Sequence, residues 1–187
     1  MAMKKVLLTG FEPFLSNKTN PTMAIVQALN HTIIKEHIII GEVLPVTFTG
    51  ARAKLRALIK QEQPHIVIAL GLASNRTTIT PERVAINCMD GAPDNEGYFP
   101  QNEPIGNTAA YFSTLPIYQI VDALEQAGFE AKISNTAGTY VCNAVMYELL
   151  SITNEQLPAG FIHIPPVLTN QQQAIEICIA TTIGEIT

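Results

Sequence analysis

Four short runs of nearly unbroken hydrophobicity, spaced by segments of helical period, do most to limit what this chain can become. They are Val6-Leu7-Leu8, Ile38-Ile39-Ile40, Ile66-Val67-Ile68-Ala69-Leu70 and Gly160-Phe161-Ile162. A strand that is apolar on both faces needs a sheet covered on both sides, and helices carried between parallel strands supply that cover. Strands are predicted at about residues 4–9, 37–46, 65–71, 83–88, 131–136 and 160–164. Helices are predicted at about 21–31, 50–63, 117–127, 140–152 and 170–183. Pro21 suits a first helical turn capped by Asn20, and Gly128 suits a stop after Leu124-Glu125-Gln126-Ala127. Ile175, Ile179 and Ile183 recur on one helical stripe. The fold class is α/β, a mostly parallel twisted sheet with helices on both faces. The stretch 89–107 breaks the alternation, being rich in Gly, Pro, Asn and acid. A loop that long inside a compact domain is functional or mobile, and a lid or an interface arm is expected.

Bulk properties narrow the function by exclusion. With 187 residues and no linker or repeat, residues 1–187 are expected to form a single domain. A net charge of −5 argues against nucleic acid, which wants a basic face. No apolar run approaches the roughly 20 residues of a membrane helix. The segment from Met1 to Pro13 has neither the apolar length nor the small-residue cleavage site of a secretory leader, so a cytoplasmic protein is expected. Cys88, Cys142 and Cys178 are widely spaced with no Cys-x-x-Cys pair, so neither a disulfide framework nor a metal or other cofactor is expected.

Ligands of open parallel sheets bind beyond the carboxyl ends of the strands. Three loops leave predicted strands there: Thr9 to Phe14, Gly71 to Arg76, and Thr136 to Cys142, with His163 near the end of the last strand. Cys142 falls at the expected start of a helix, where unpaired N–H groups and the helix dipole favour a thiolate. A lone cysteine is as readily a small buried hydrophobe, and Cys88 and Cys178 take that reading, one in a strand and one in mid-helix. His163 interrupts an apolar run, where its ring needs a partner. It is either the base for Cys142 or a satisfied core histidine. His31 follows a helix, and His37 and His65 are expected to meet solvent ahead of strands. Glu82 offers the third group that orients an imidazole in a Cys–His pair, or else is a surface acid paired with Arg76 or Arg83. Phe11, Phe14, Tyr140 and Val141 wall a small apolar pocket or belong to the core. Leu72 stands with them among the candidate substrate-binding residues.

In chain order, the motifs are Leu8-Thr9-Gly10-Phe11-Glu12-Pro13-Phe14, Asn20-Pro21, Leu44-Pro45-Val46 and Thr80-Pro81-Glu82-Arg83-Val84-Ala85-Ile86-Asn87. Pro93-Asp94-Asn95-Glu96-Gly97, Ser134-Asn135-Thr136-Ala137-Gly138-Thr139-Tyr140-Val141-Cys142-Asn143 and Gly160-Phe161-Ile162-His163-Ile164-Pro165 follow. The ordered set resembles the pyroglutamyl-peptidase (pyrrolidone-carboxylate peptidase) family across nearly the whole chain. The resemblance implies an α/β/α sandwich and an intracellular cysteine peptidase that removes N-terminal pyroglutamate from peptides, often as a homo-oligomeric tetramer. It implies Cys142 as nucleophile, His163 as base and Glu82 as orienting acid, with Phe11, Phe14, Tyr140 and Val141 at the pocket. A pyroglutamyl group is a compact neutral lactam that suits flat apolar walls. An ordinary N-terminus would bring an ammonium into such a site at a large desolvation cost.

The chain departs from the family pattern in places. Leu15-Ser16 and Ser74-Asn75 stand where glycines are usual, and Ala144 where a histidine is common. Asp90-Gly91-Ala92-Pro93 is one residue shorter than the pattern and has no arginine, and the chain reaches Thr187 short of the usual C-terminal helix. These departures leave open a relative that binds a lactam or peptide without efficient turnover. A nucleotide-binding reading of the Gly10 loop finds neither Gly-x-Gly-x-x-Gly nor Gly-Lys-Ser/Thr.

Overall fold

The four apolar runs become four neighbouring parallel strands. In the computed structural model, which describes residues 3–14, 19–167 and 169–186, the elements run β1 (Lys4–Phe11), α1 (Pro21–Leu29), β2 (Ile33–Ile34), β3 (His37–Leu44), α2 (Phe48–Glu62), β4 (Ile66–Leu72), β5 (Thr80–Pro81), β6 (Val84–Ile86), β7 (Ala110–Phe112), α3 (Ile117–Gln126), α4 (Val141–Thr153), β8 (Ala159–Ile164) and α5 (Gln171–Gly184). The main sheet has the order β2-β3-β1-β4-β8-β5. Its four central strands are parallel, while β2 and β5 close the edges antiparallel.

Strand alternation sorts the apolar residues into two layers. Val6, Leu8, Ile66, Ile68, Leu70, Ile162 and Ile164 pack toward α1, α3 and α5. Leu7, Phe11, Val67, Ala69, Ala159 and Phe161 pack toward α2 and α4. Each fully buried Leu, Ile or Phe contributes roughly 1.5–3 kcal/mol, so both faces of each strand are stabilised and neither is free to be polar. The result is an α/β/α sandwich.

Helix ends follow their local chemistry. Asn20 Oδ1 accepts the Thr22 N–H at 3.1 Å, with Pro21 in the first turn of α1. α3 ends two residues before Gly128, whose φ of 87° is the left-handed turn glycine allows. Ile175, Ile179 and Ile183 all lie buried on α5 with Cys178.

Three expectations are corrected. Residues 131–136 form no strand; their backbone pairs with the 79–83 segment at the isolated bridges Ile79–Ala131 and Glu82–Ser134. Side chains there claim the backbone instead, since Ser134 Oγ bonds both Thr136 O and Thr136 N, and Gly138 N donates to Thr136 Oγ1. The predicted strand at 83–88 is shorter, and it pairs with β7 in a separate antiparallel ribbon. The edge of the main sheet goes to Thr80–Pro81, a position that suits a residue without an N–H. His37 does not meet solvent: it is 2% exposed, with Nδ1 2.8 Å from the Lys35 carbonyl.

The 89–107 stretch is fastened rather than hinged around residues 94–98. Asp94 Oδ2 accepts the Phe48 N–H at 2.9 Å, capping α2, and Oδ1 accepts from Glu96 N and Tyr98 N. Asn95 N donates to the Val46 carbonyl, and its side chain donates to Glu12 Oε1.

Candidate active site

The site forms where β4, β8 and the start of α4 meet. Register places His163 of β8 opposite Gly71 of β4, on the face that carries Phe161 and looks toward α4. Gly71 is small for a reason. A Cβ there would lie 2.7 Å from the Phe161 ring and 3.0 Å from Cys142 Sγ. The thiol occupies the space that the missing side chain leaves.

Cys142 is the second residue of α4, whose first N–H groups are capped by no side chain. Asn143 fixes this helix start in place. It is fully buried, accepts from Ile86 N at 3.0 Å and donates to the carbonyls of Ile86 and Cys88 at 2.9 Å. Cys142 and His163 line one cleft of about 460 Å³, together with Arg76, Thr136, Gly138 and Tyr140. Ser74 and Asn75 sit on its rim, whereas Leu15-Ser16 lie outside the described residues.

Beneath the cleft, His163 Nδ1 lies 2.7 Å from Glu82 Oε1, and the Glu82 side chain is wholly buried. Arg76 Nη1 donates to the same oxygen at 2.5 Å. The surface-acid reading of Glu82 is thus half right in partner and wrong in place, and Arg83 turns away to Asn135 and Tyr118. An ionised carboxylate only accepts, so the imidazole proton sits on Nδ1 and Nε2 keeps its lone pair.

Electrostatics correct the thiolate expectation. Burial pushes the Cys142 thiol up to about 12, with the Glu82 charge adding to the rise and Arg76 and the residue's own N–H opposing it. Desolvation outweighs the helix start. Burial also pulls His163 below its ordinary value, against the hydrogen bond and charge of Glu82, and Arg76 lowers it further. Both shifts favour a neutral thiol beside a neutral imidazole, with Cys142 itself only partly buried at the cleft.

Phe11, Phe14, Leu72, Tyr140 and Val141 surround a small apolar cavity that opens on Cys142. Phe14 and Tyr140 face each other at 6.3 Å between ring centres, and Phe48 meets Tyr140 edge-on at 5.3 Å. The Tyr140 hydroxyl donates to the Pro93 carbonyl at 3.0 Å, so the 90–93 loop braces this wall. Asn20 and Val46 complete the lining. The sequence marked Asn20 only as a helix cap and gave Arg76 only as a surface partner. Nothing local marked Asn143. Cys88 lies beyond the end of β6, not in a strand, and Cys178 is buried in α5; neither lines these cavities. Among the described residues, no cluster of three or more His, Cys, Asp or Glu is arranged to hold a metal.

Comparison with known proteins gives one answer from three directions. The pyroglutamyl peptidase family pattern matches residues 4–182. A pyrrolidone-carboxylate peptidase of Oceanobacillus iheyensis is 50% identical over 195 aligned residues, covering 95% of this chain and 98% of the relative. One from Thermococcus onnurineus is 50% identical, covering 86% and 83%. Among solved structures, pyrrolidone carboxyl peptidase from Thermococcus litoralis superposes with a TM-score of 0.94 at 37% identity, covering 98% of this chain and 95% of the other. The Pyrococcus furiosus enzyme gives 0.94 at 37% identity, covering 98% and 100%. The chain belongs to the pyroglutamyl peptidase family.

Proposed function

We propose that this protein is a cysteine exopeptidase that hydrolyses the amide bond following an N-terminal pyroglutamyl residue, without metal or other cofactor. Cys142 is the nucleophile, His163 the base and Glu82 the group that holds the imidazole. The observation that carries this reading is the Glu82–His163 hydrogen bond at the floor of a cleft that also holds Cys142, beside a small apolar cavity. Family membership and the names of the relatives support it.

The lactam ring sits between the aromatic walls formed by Phe11, Phe14 and Tyr140, with Leu72 and Val141 at its sides. His163 Nε2 takes the thiol proton as Sγ adds to the pyroglutamyl carbonyl carbon. Proton transfer accompanies attack, because the thiol is too weak an acid to ionise beforehand. The uncapped N–H groups of Val141 and Cys142 open α4 beside the reacting carbon and hold the oxyanion. Imidazolium then protonates the departing peptide amine, leaving a thioester. Water, deprotonated by His163, attacks the thioester, releases pyroglutamate and restores the thiol.

The same reading takes residues 1–187 as one peptidase domain working in the cytoplasm, where a free catalytic thiol stays reduced. It takes the working form as a homo-oligomer, a tetramer, with exposed Phe99 and Phe112 offering apolar surface for assembly. Among the described residues no helix is long and apolar enough to cross a membrane. The test is release of a fluorophore from a pyroglutamyl amide by purified protein and by Cys142→Ser. Release lost in the variant and on thiol alkylation supports the reading. A folded, reduced protein that releases nothing sinks it in favour of binding without turnover.

A further inference from the structure

The polar cluster beneath the cleft holds one charged group more than a nucleophile, a base and an orienting acid require. Arg76 leaves the connection between β4 and β5 and reaches three residues on two segments. Nη1 donates to Glu82 Oε1 and to Thr80 Oγ1, each at 2.5 Å, and Nη2 donates to the Thr136 carbonyl at 2.9 Å. The Glu82 oxygen it touches is the one that holds His163 Nδ1, while Glu82 Oε2 is buried without a hydrogen-bond partner. The Arg76 side chain is 23% exposed and that of Glu82 not at all.

We propose that Arg76 is a positioning residue, one that holds the Glu82 carboxylate turned so that His163 is kept in the Nδ1–H tautomer with Nε2 free for the Cys142 proton. This rests on the proposed cysteine-peptidase reading of the site.

With Oε2 unpartnered, the contacts of Arg76 and His163 on Oε1 fix how the Glu82 carboxylate is turned. Without the guanidinium the carboxylate can turn away from Nδ1, and the ring proton can then rest on Nε2, where it blocks removal of the thiol proton. The guanidinium prevents this reversal. It also offsets the pull of the Glu82 charge on the ring. The charged and titratable groups facing His163 are Glu82 at the end of β5, Arg76 from the β4–β5 connection and Cys142 on α4. Of these, Glu82 alone would store the proton on the imidazole, and Arg76 opposes that storage. Its second arm, on Thr136, ties the Glu82 edge to the segment that leads into Cys142.

The test is the pH profile of kcat and kcat/KM on a pyroglutamyl amide with a neutral leaving group, for the parent, Arg76→Met and Arg76→Lys, with thermal unfolding alongside. In Arg76→Met, kcat is expected to fall about 10²-fold, in the range removed with a base's orienting contact. The acidic limb is expected to move to higher pH, with KM nearly unchanged. Arg76→Lys keeps the charge, so it returns the limb toward the parent position and recovers part of kcat. A loss of activity with an unmoved limb means a purely structural role and overturns the proposal. So does a rise in KM at constant kcat, which means that Arg76 binds substrate. Nitrogen NMR of His163 reads the tautomer whether or not any peptide is turned over. The same tautomer in the parent and in Arg76→Met, or in Arg76→Gln should the Met variant not fold, also overturns it. A parent without turnover but with the tautomer switched by Arg76→Met would sink the proposed reaction and leave this inference standing.

Discussion

Two histidines in this protein are almost equally buried, yet only one sits where chemistry can use it. His37 is 2% exposed and His163 5%. His37 stands at the amino end of β3, and its Nδ1 meets the Lys35 carbonyl two residues away. Its Nε2 is buried with no partner. His163 stands near the carboxyl end of β8, and its Nδ1 meets a carboxylate brought from 81 residues away. A carbonyl can take a ring proton but cannot balance a charge; a carboxylate does both. Burial fixes a ring in either place. What makes a base is the long-range partner together with an open path to a second reactive group.

The sharpest way to break that contrast is to remove each ring in turn. His163→Gln is expected to cut kcat/KM by roughly 10³-fold or more, the scale seen when a base that shares one proton path with its nucleophile is removed. His37→Gln is expected to change it less than about 3-fold, because nothing at the amino end of β3 touches the cleft. Glu82→Gln falls between the two, nearer His163, at roughly 10²–10⁴-fold, because an amide no longer enforces the tautomer. Steady-state kinetics on a pyroglutamyl amide, with circular dichroism to verify folding, settles all three. Equal losses at 37 and 163 would end the distinction.

Glycine substitutions carry the comparison into packing. At Gly71 an added methyl meets the Phe161 ring and Cys142 Sγ, both side-chain atoms that can shift. Gly71→Ala is expected to destabilise by about 1–3 kcal/mol and, because Sγ must move, to lower kcat strongly. At Gly41 on β3 the methyl would lie 2.2 Å from the Val26 carbonyl oxygen, a backbone atom with less room to yield. Gly41→Ala is therefore expected to destabilise at least as much while leaving kcat per folded molecule near the parent value. Urea unfolding and active-site titration separate the two effects.

What the sequence revealed of this site divides along the same line. The apolar runs of β1, β3, β4 and β8 were legible because a strand's two faces are written in consecutive residues. The rim was legible because strand ends and loop residues mark it. Cys142, His163 and Glu82 could be named, but their partners depend on chain far away. Arg76 was missed as a member of the cluster because nothing within six residues of it shows that Glu82 will be buried. The helix start beneath Cys142 was readable, whereas the burial that opposes it comes in part from Phe161 and Gly71 on other segments. The segment 131–136 misled because β-like composition says nothing of Ser134 and Thr136 bonding their own backbone.

The smallest effect expected is on stability against pH, and its sign follows from burial. The His163 ring has its proton affinity lowered in the folded state, chiefly by desolvation. In the unfolded chain the same ring binds a proton near pH 6.5. Below that value the unfolded state holds a proton that the folded state refuses, so acid favours unfolding. The stability that His163 contributes is present above its ordinary value and is lost as pH falls from there toward its folded value. The slope cannot exceed about 1.4 kcal/mol per pH unit for one proton. His163→Gln removes the titrating group, so its urea midpoint should fall less than that of the parent between pH 6.5 and 5. If Glu82 instead dominated the ring, its affinity would be raised, and the parent would gain stability as pH fell from that raised value to 6.5, with no loss below it. Which of the two courses is found tells whether the site rests as a neutral pair or as a stored imidazolium, and thus whether, in the proposed reaction, Cys142 attacks with its proton leaving or already gone.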